Sequence, residues 1–423
     1  MPALGLAPVR PPAGLRRRPF HLVAKPTGAA CNLDCSYCFF LSKEALWDPR
    51  GQRMSEPVLR RFIERYLAAQ PDGEVEIAWQ GGEPTMRGLD FFRTAVALVE
   101  EMRRPRQRVR HAVQTNATLI DEQWADFLAD NRFLVGVSVD GPADLHDRYR
   151  VNRAGRGTYR QVVRGLRTLQ AHDVDVNLLC TVNAGNVEEP LRVYRHLRDE
   201  LDASFIQFIP IVERVSTGEE AVAEAGWRDD EGRRVLYRQE GSGTTSRSVL
   251  PEAWGRFLIE VFDEWFAHDV GRVFIQHAEV MLGAALGRYS LCVHAPECGD
   301  APAMEHNGDV YSCDHFVEPG YRLGSVLSDD FQAMLSSPRQ RAFGAAKRSA
   351  LPGQCLRCPV RWACHGGCPK DRFDVTRDGQ GGLNHLCAGY YAFFTHAAPT
   401  VLRMAEAVQR GLPVTDALGA DDA

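Results

Sequence analysis

Cys31-Asn32-Leu33-Asp34-Cys35-Ser36-Tyr37-Cys38 is a CxxxCxxC stretch with an aromatic residue before its last cysteine. Such tight spacing lets one loop aim several thiolates at one point, as metal or iron–sulfur ligation requires. A structural zinc site would normally take a fourth protein ligand, and none lies nearby in the chain. Three ligands instead leave one metal position open for a substrate or cofactor. The stretch follows His21–Lys25, a short apolar run of strand character.

Five more runs of that kind come after it: Glu74–Gln80, Arg108–Thr115, Leu134–Asp140, Asp175–Val182 and Ser204–Pro210. Amphipathic helical patterns lie between them. Ser55 stands as an N-cap before Leu59, Phe62, Ile63, Tyr66 and Leu67, and Asp121 before Trp124, Phe127 and Leu128. Six strands alternating with helices predict parallel βα units in a closed or partial barrel, with an open doubly wound sheet as the alternative. The chemistry-bearing residues fall just past the strands: Gly81-Gly82-Glu83-Pro84, Gln114-Thr115-Asn116, Ser138-Val139-Asp140-Gly141 and Ile211. The C-terminal strand ends of a βα barrel form its active face, so these segments converge on one mouth.

The chain has 423 residues, 44% hydrophobic and 25% charged, the composition of a globular protein. Its net charge of −5 argues against nucleic-acid binding through global positive charge. No run reaches the ~18 apolar residues that span a bilayer. Arg16, Arg17 and Arg18 are not followed by an apolar stretch, so no secretory signal is read and a cytoplasmic location is expected. Without export a disulfide framework is disfavoured, yet there are 12 cysteines. Cys180 sits alone in an apolar run and reads as a core thiol. Eight more fall in the last third: Cys292, Cys298, Cys313, Cys355, Cys358, Cys364, Cys368 and Cys387. Eight ligands serve two four-cysteine centres, and spacing alone does not partition them.

The Cys31–Cys38 loop resembles the cluster loop of the radical S-adenosylmethionine (SAM) enzymes, and Gly81–Pro84 resembles their GGEP segment. The C-terminal cysteines resemble the SPASM extension. Tyr311-Ser-Cys-Asp-His-Phe316, Gln80–Thr85, Gln114–Asp121 and Phe133–Gly141 are similar to the anaerobic sulfatase-maturating enzymes, a likeness running from about residue 20 to about residue 400. The resemblance implies a partial (β/α)6 barrel of radical SAM type with a C-terminal SPASM iron–sulfur domain. Residues 1–20 would form a tail, 21–211 the barrel, 212–250 a polar insertion or linker, 251–290 connecting helices, 291–400 the auxiliary-cluster domain and 401–423 a second tail.

It also implies three [4Fe–4S] clusters: one on Cys31, Cys35 and Cys38, with SAM on the open iron; one on Cys292, Cys298, Cys313 and Cys368; and one on Cys355, Cys358, Cys364 and Cys387. Tyr37, Gly82, Glu83, Ser138, Arg150 and Ile211 would contact SAM. The implied activity is oxidation of a Cys or Ser side chain in a nascent or unfolded sulfatase, within a Cys/Ser-x-Pro-x-Arg segment, to Cα-formylglycine. A 5′-deoxyadenosyl radical would take the Cβ hydrogen, Asp314 the hydroxyl or thiol proton, and an auxiliary cluster an electron. Flavodoxin or ferredoxin would supply reducing power to a monomer that binds neither nucleic acid nor membrane. Rival readings are a SPASM enzyme that crosslinks a ribosomal peptide and a zinc-stabilised binding module. The first often carries an N-terminal recognition domain of ~80 residues, for which the run before the first strand leaves no room.

Overall fold

The computed structural model describes residues 18–47 and 51–417. Strands β1 (Val23–Ala24), β2 (Gly73–Trp79), β3 (Gln107–Thr115), β4 (Leu134–Ser138), β5 (Asp175–Val182) and β6 (Phe205–Pro210) lie side by side in chain order. Every neighbouring pair among them is parallel. A doubly wound sheet reverses its strand order near the middle. This one does not, so the open-sheet alternative falls and the partial barrel stands. β4 stops two residues short of the expected Asp140 because the Asp140 amide turns to His146 Nδ1 (3.2 Å).

Local chemistry explains the helices between the strands. Asp121 Oδ1 accepts from the Trp124 amide (2.9 Å), a capping bond that satisfies one of the first-turn donors. Ser55 takes the extended N-cap conformation but its hydroxyl makes no capping bond; Glu56 and Pro57 in the first turn start Glu56–Ala69 instead. That helix buries Leu59, Phe62, Ile63, Tyr66 and Leu67 against the sheet. Phe62, Trp79, Phe92 and Phe133 are at most 1% exposed, each burial contributing roughly 1.5–3 kcal/mol. Cys180 is fully buried within this core.

The C-terminal region is no detached cap. Ala303–Met304 pairs in parallel with the free edge of β1, in register Val23↔Ala303 and Ala24↔Met304. Asp309–Tyr311 and Arg322–Ser325 follow antiparallel, and Phe274–Ile275 extends the other edge beyond β6. One ten-stranded sheet results. Pairing satisfies backbone groups that an open β1 edge would leave exposed.

Residues 212–250, expected as a polar insertion or linker, carry a small paired unit. Arg214–Val215 pairs with Gly243–Thr244, and Val215, Ala223, Trp227 and Tyr237 form a core of their own. Its polar composition conceals internal pairing: the buried Glu213 carboxylate takes Thr245 Oγ1 (2.9 Å) and Arg247 Nη2 (2.8 Å). The second tail does not begin at 401, because the helix Cys387–Gln409 runs on with Val401 and Met404 buried. It crosses Pro251–His268 closely enough that a Cβ on Gly389 would lie 2.1 Å from Pro251 O. Residues 1–17 and 418–423 of the expected tails lie outside the described residues. Among the described residues no helix is long and apolar enough to cross a membrane.

Candidate active site at the strand ends

The cysteine loop leaves β1 and lies along residues 149–152. The Asp34 amide donates to Val151 O (2.8 Å), the Ser36 amide to Tyr149 O (3.2 Å), and Leu33 bridges to Asn152. Cys31, Cys35 and Cys38 come together with Tyr37, Leu33 and Leu41 in one apolar cluster, against which Ile211 packs. Burial pushes the Cys31 and Cys38 thiols up and Cys35 up to about 12, and the neighbouring thiols add to the shifts of Cys31 and Cys35. Thiols so placed release their protons when a metal centre replaces them. The Leu33 amide donates to Cys31 Sγ (3.3 Å), the kind of N–H···S bond that supports a cluster thiolate.

Gly82 and Glu83, expected at SAM, also make close contacts within the protein. A Cβ on Gly82 would lie 2.1 Å from Ala30 O, so the close approach that demands glycine is to the loop before Cys31. The fully buried Glu83 carboxylate accepts from the Thr85 amide (3.0 Å), Thr85 Oγ1 (2.6 Å), Thr115 Oγ1 (2.7 Å) and the Asn116 amide (2.7 Å). It clamps the turn after β2 to the end of β3. Asp140 is a second hub, accepting from Tyr37 Oη (2.5 Å), Arg150 Nε (2.9 Å) and the Thr181 amide (2.9 Å). Burial alone would lower Arg150, but Asp140 and Tyr37 raise it, so a fixed cation stands beside Cys35. Ser138, at the end of β4, accepts from Gln114 Nε2 (2.9 Å). The mouth is thus lined by hydroxyl, amide and guanidinium groups beside the three thiols, a donor set suited to an amino-acid head and a ribose.

The register of β1 brings the remaining residue to this mouth. Lys25, just past β1, stands 2.8 Å from Asp314 Oδ1 and 3.0 Å from Glu305 Oε1, with its ammonium 4.6 Å from the Phe40 ring. Lys25 and Glu305 are each 1% exposed, while Asp314 keeps 18% of its side chain open. Burial opposes the Lys25 charge, yet Asp314 and Glu305 outweigh it and raise the ammonium. Burial would raise Glu305, but Lys25 and His306 hold it below its usual range. His315 stacks 5.1 Å from Phe39 and burial lowers it to about 3, so it braces the loop as a neutral ring.

Of the other eight cysteines, Cys355, Cys358, Cys364 and Cys387 line one cavity of about 790 Å³, and Cys292, Cys298, Cys313 and Cys368 are not among its lining residues. Among the described residues no three His, Cys, Asp or Glu converge tightly enough to hold a single metal ion.

Residues 26–197 match the Radical SAM superfamily, and 298–359 match the SPASM iron–sulfur cluster-binding domain. The chain is 42% identical over 386 residues to a serine-type anaerobic sulfatase-maturating enzyme of Bacteroides thetaiotaomicron, covering 90% of each chain. This chain belongs to the anaerobic sulfatase-maturating enzyme family. A cysteine-type member from Clostridium perfringens is 30% identical, covering 92% of this chain and 100% of its own. The solved structure of native anSMEcpe with bound AdoMet aligns with a TM-score of 0.79 at 30% identity, over 92% of this chain and 100% of that one. Streptococcus suis SuiB bound to precursor peptide SuiA shares the fold alone, with a TM-score of 0.54 at 15% identity over 84% of this chain and 72% of that one. The family's [4Fe–4S] and SAM chemistry fits the residues present here.

Sequence reasoning missed Lys25 and Glu305. The available signal was a lysine closing the apolar run Leu22-Val23-Ala24, where a buried charge needs a partner. It also set the 212–250 module apart from the cluster loop. Arg228 Nη2 donates to both Asp34 oxygens (3.0 and 2.8 Å) and Arg234 Nη2 also reaches Asp34, so the module grips the loop between Cys31 and Cys35.

Proposed function

We propose that this chain oxidises a Cys or Ser side chain of a sulfatase polypeptide to Cα-formylglycine, with Asp314 as the base. The observation that carries the assignment is the Lys25 ion pair, which holds a partly open carboxylate between the cysteine loop after β1 and Cys313. When bound, SAM and the cluster on Cys31, Cys35 and Cys38 supply a hydrogen-abstracting 5′-deoxyadenosyl radical, and clusters on the two auxiliary cysteine groups supply one-electron acceptors. Tyr37, Gly82, Glu83, Ser138, Arg150 and Ile211 would contact SAM. Asp314, held through Oδ1 by Lys25, takes the hydroxyl or thiol proton of a Cys/Ser-x-Pro-x-Arg segment. Lys25 faces two carboxylates, so the trio carries one net negative charge and Lys25 orients Asp314 without forming a net cation at the mouth. A flavodoxin or ferredoxin is the fitting reductant for a monomer working this way.

The test is reduced holoenzyme with SAM and peptides bearing Cys or Ser ahead of Pro-x-Arg, read by mass spectrometry with 5′-deoxyadenosine measured alongside. Asp314→Ala retains about 12 iron per chain and still forms 5′-deoxyadenosine, but makes no aldehyde. Full aldehyde yield from that variant removes Asp314 from the role. A crosslinked peptide from the wild type replaces the reading with the peptide-crosslinking one, and stoichiometric zinc without iron overturns it entirely.

A further inference from the structure

Two cations beside the auxiliary cysteines, one buried and one half-buried, form no ion pair with a carboxylate among the described residues. Lys347, on the helix Pro338–Ser349, is fully buried. Its Nζ donates to the carbonyls of Cys292, Val293 (2.8 Å) and Ala295 (2.5 Å), all within the loop that joins Cys292 to Cys298. Three acceptors around one nitrogen match the three N–H bonds of an ammonium; burial lowers Lys347 to about 8, and negative charge on the facing thiols acts to raise it. Arg372 closes the other loop. Its Nε donates to Gly366 O (2.9 Å), and its Nη2 to His365 O (2.8 Å) and Gly367 O (3.2 Å), between Cys364 and Cys368. Its Nη1 donates to Lys347 O (2.6 Å), tying the two cations together.

Among the described residues neither cation forms an ion pair with Asp or Glu, although the adjacent Lys370 has Asp371 at 2.6 Å. Carbonyls satisfy the donors but leave the charge uncompensated, and a buried charge calls for a counter-ion. The groups these cations face are thiols. Lys347 interacts with Cys292, Cys298 and Cys368, and Arg372 with Cys298, Cys355, Cys364 and Cys368, so Arg372 stands between the two groups.

We propose that Lys347 and Arg372 are positioning residues and fixed countercharges for the auxiliary clusters, Lys347 serving the cluster on Cys292, Cys298, Cys313 and Cys368, and Arg372 serving both. The inference rests on the reading that these eight cysteines hold clusters. Reducing a cluster by one electron adds one negative charge to it. A cation held a loop away stabilises the reduced form and raises the reduction potential.

The experiment is an anaerobic redox titration of the holoenzyme followed by electron paramagnetic resonance, with iron measured on every preparation. Lys347→Met shifts one auxiliary cluster to a more negative potential and leaves the SAM cluster in place; Lys347→Arg restores it. Arg372→Gln shifts both auxiliary clusters. If Lys347→Met loses one cluster, leaving about eight iron, Lys347→Arg holds about 12, which supports the same role. The proposal is overturned by Lys347→Met with full iron and unshifted potentials, or by Lys347→Arg no better than Lys347→Met. A wild type without iron–sulfur signals overturns the cluster reading instead, and the two failures are distinct.

Discussion

Replacing Lys25 by Met removes the ammonium that pairs with Glu305 and Asp314 while nearly preserving side-chain volume. Both carboxylates sit within 3.0 Å of Nζ, and the Lys25–Glu305 pair is sealed from water on both sides. Removing one partner of such a pair leaves an uncompensated buried charge, at a cost of about 3–5 kcal/mol. Asp314, partly open, adds little, and packing loss is small because Met fills the same space. The pH dependence separates this cost from simple packing damage. Lys25 has a raised folded pKa, so its contribution is complete below the unfolded lysine value and fades only as pH rises through the folded one. Glu305 has a lowered folded pKa, so its contribution is complete above the unfolded glutamate value and fades as pH falls toward the folded one. The pair is therefore at full strength between about pH 5 and 10. Anaerobic urea unfolding of wild type and Lys25→Met, at pH 7 and again near pH 4, shows the full gap at pH 7. The gap narrows in acid, where the variant's orphaned carboxylates take up protons. A difference under ~1 kcal/mol at pH 7, or a gap that widens in acid, refutes the reasoning.

Other variants probe the remaining links. Cys180→Ser places a hydroxyl in an apolar core without a partner, so unfolding free energy falls by about 1–3 kcal/mol while iron content stays at the wild-type value. Arg228→Ala with Arg234→Ala frees Asp34, a partly exposed pair of contacts contributing roughly 1–2 kcal/mol together. In chelator the SAM cluster of that variant is lost faster than wild type's, with auxiliary iron unaffected. Anaerobic removal of all iron exposes the 292–387 loops to proteolysis while the barrel resists, because apolar burial holds the barrel and metal would hold the loops.

The barrel is legible in the chain because each strand is a compact apolar run closed by turn residues, and because Cys31, Gly81, Asn116, Ser138 and Ile211 all fall just past such runs. The grouping of the last eight cysteines is not legible from spacing, since Cys368 sits four residues beyond Cys364 yet interacts with Cys292. Nor are Lys25 and Glu305, which meet only through the Val23↔Ala303 register of a parallel pairing between distant segments. Composition misleads at 212–250 for a physical reason. Glu213, Arg214, Arg228, Arg234 and Arg247 look like solvated charges, but each finishes its bonds within the fold. Glu83 is a milder case, a motif residue whose visible role is to fasten two turns.

The sheet's continuity explains why base and cluster loop can be built from opposite ends of the chain. Two backbone steps set the Asp314 position. Pairing of Ala303–Met304 with β1 places Glu305 beside Lys25, and the hairpin to Asp309–Tyr311 returns the chain so that Cys313 and Asp314 follow on the same side. Phe39 and Phe40, directly after Cys38, then close on His315 and Lys25 from the barrel side. A cap joined by a flexible linker could not hold a carboxylate 2.8 Å from a buried ammonium, because the entropy of a free hinge would exceed what one partly exposed ion pair returns. Hydrogen bonds from His21, Val23 and Lys25 to Asp300, Pro302 and Met304 remove that hinge. The position of Asp314 is thus inherited from strand pairing, and Cys313 is placed by the same register.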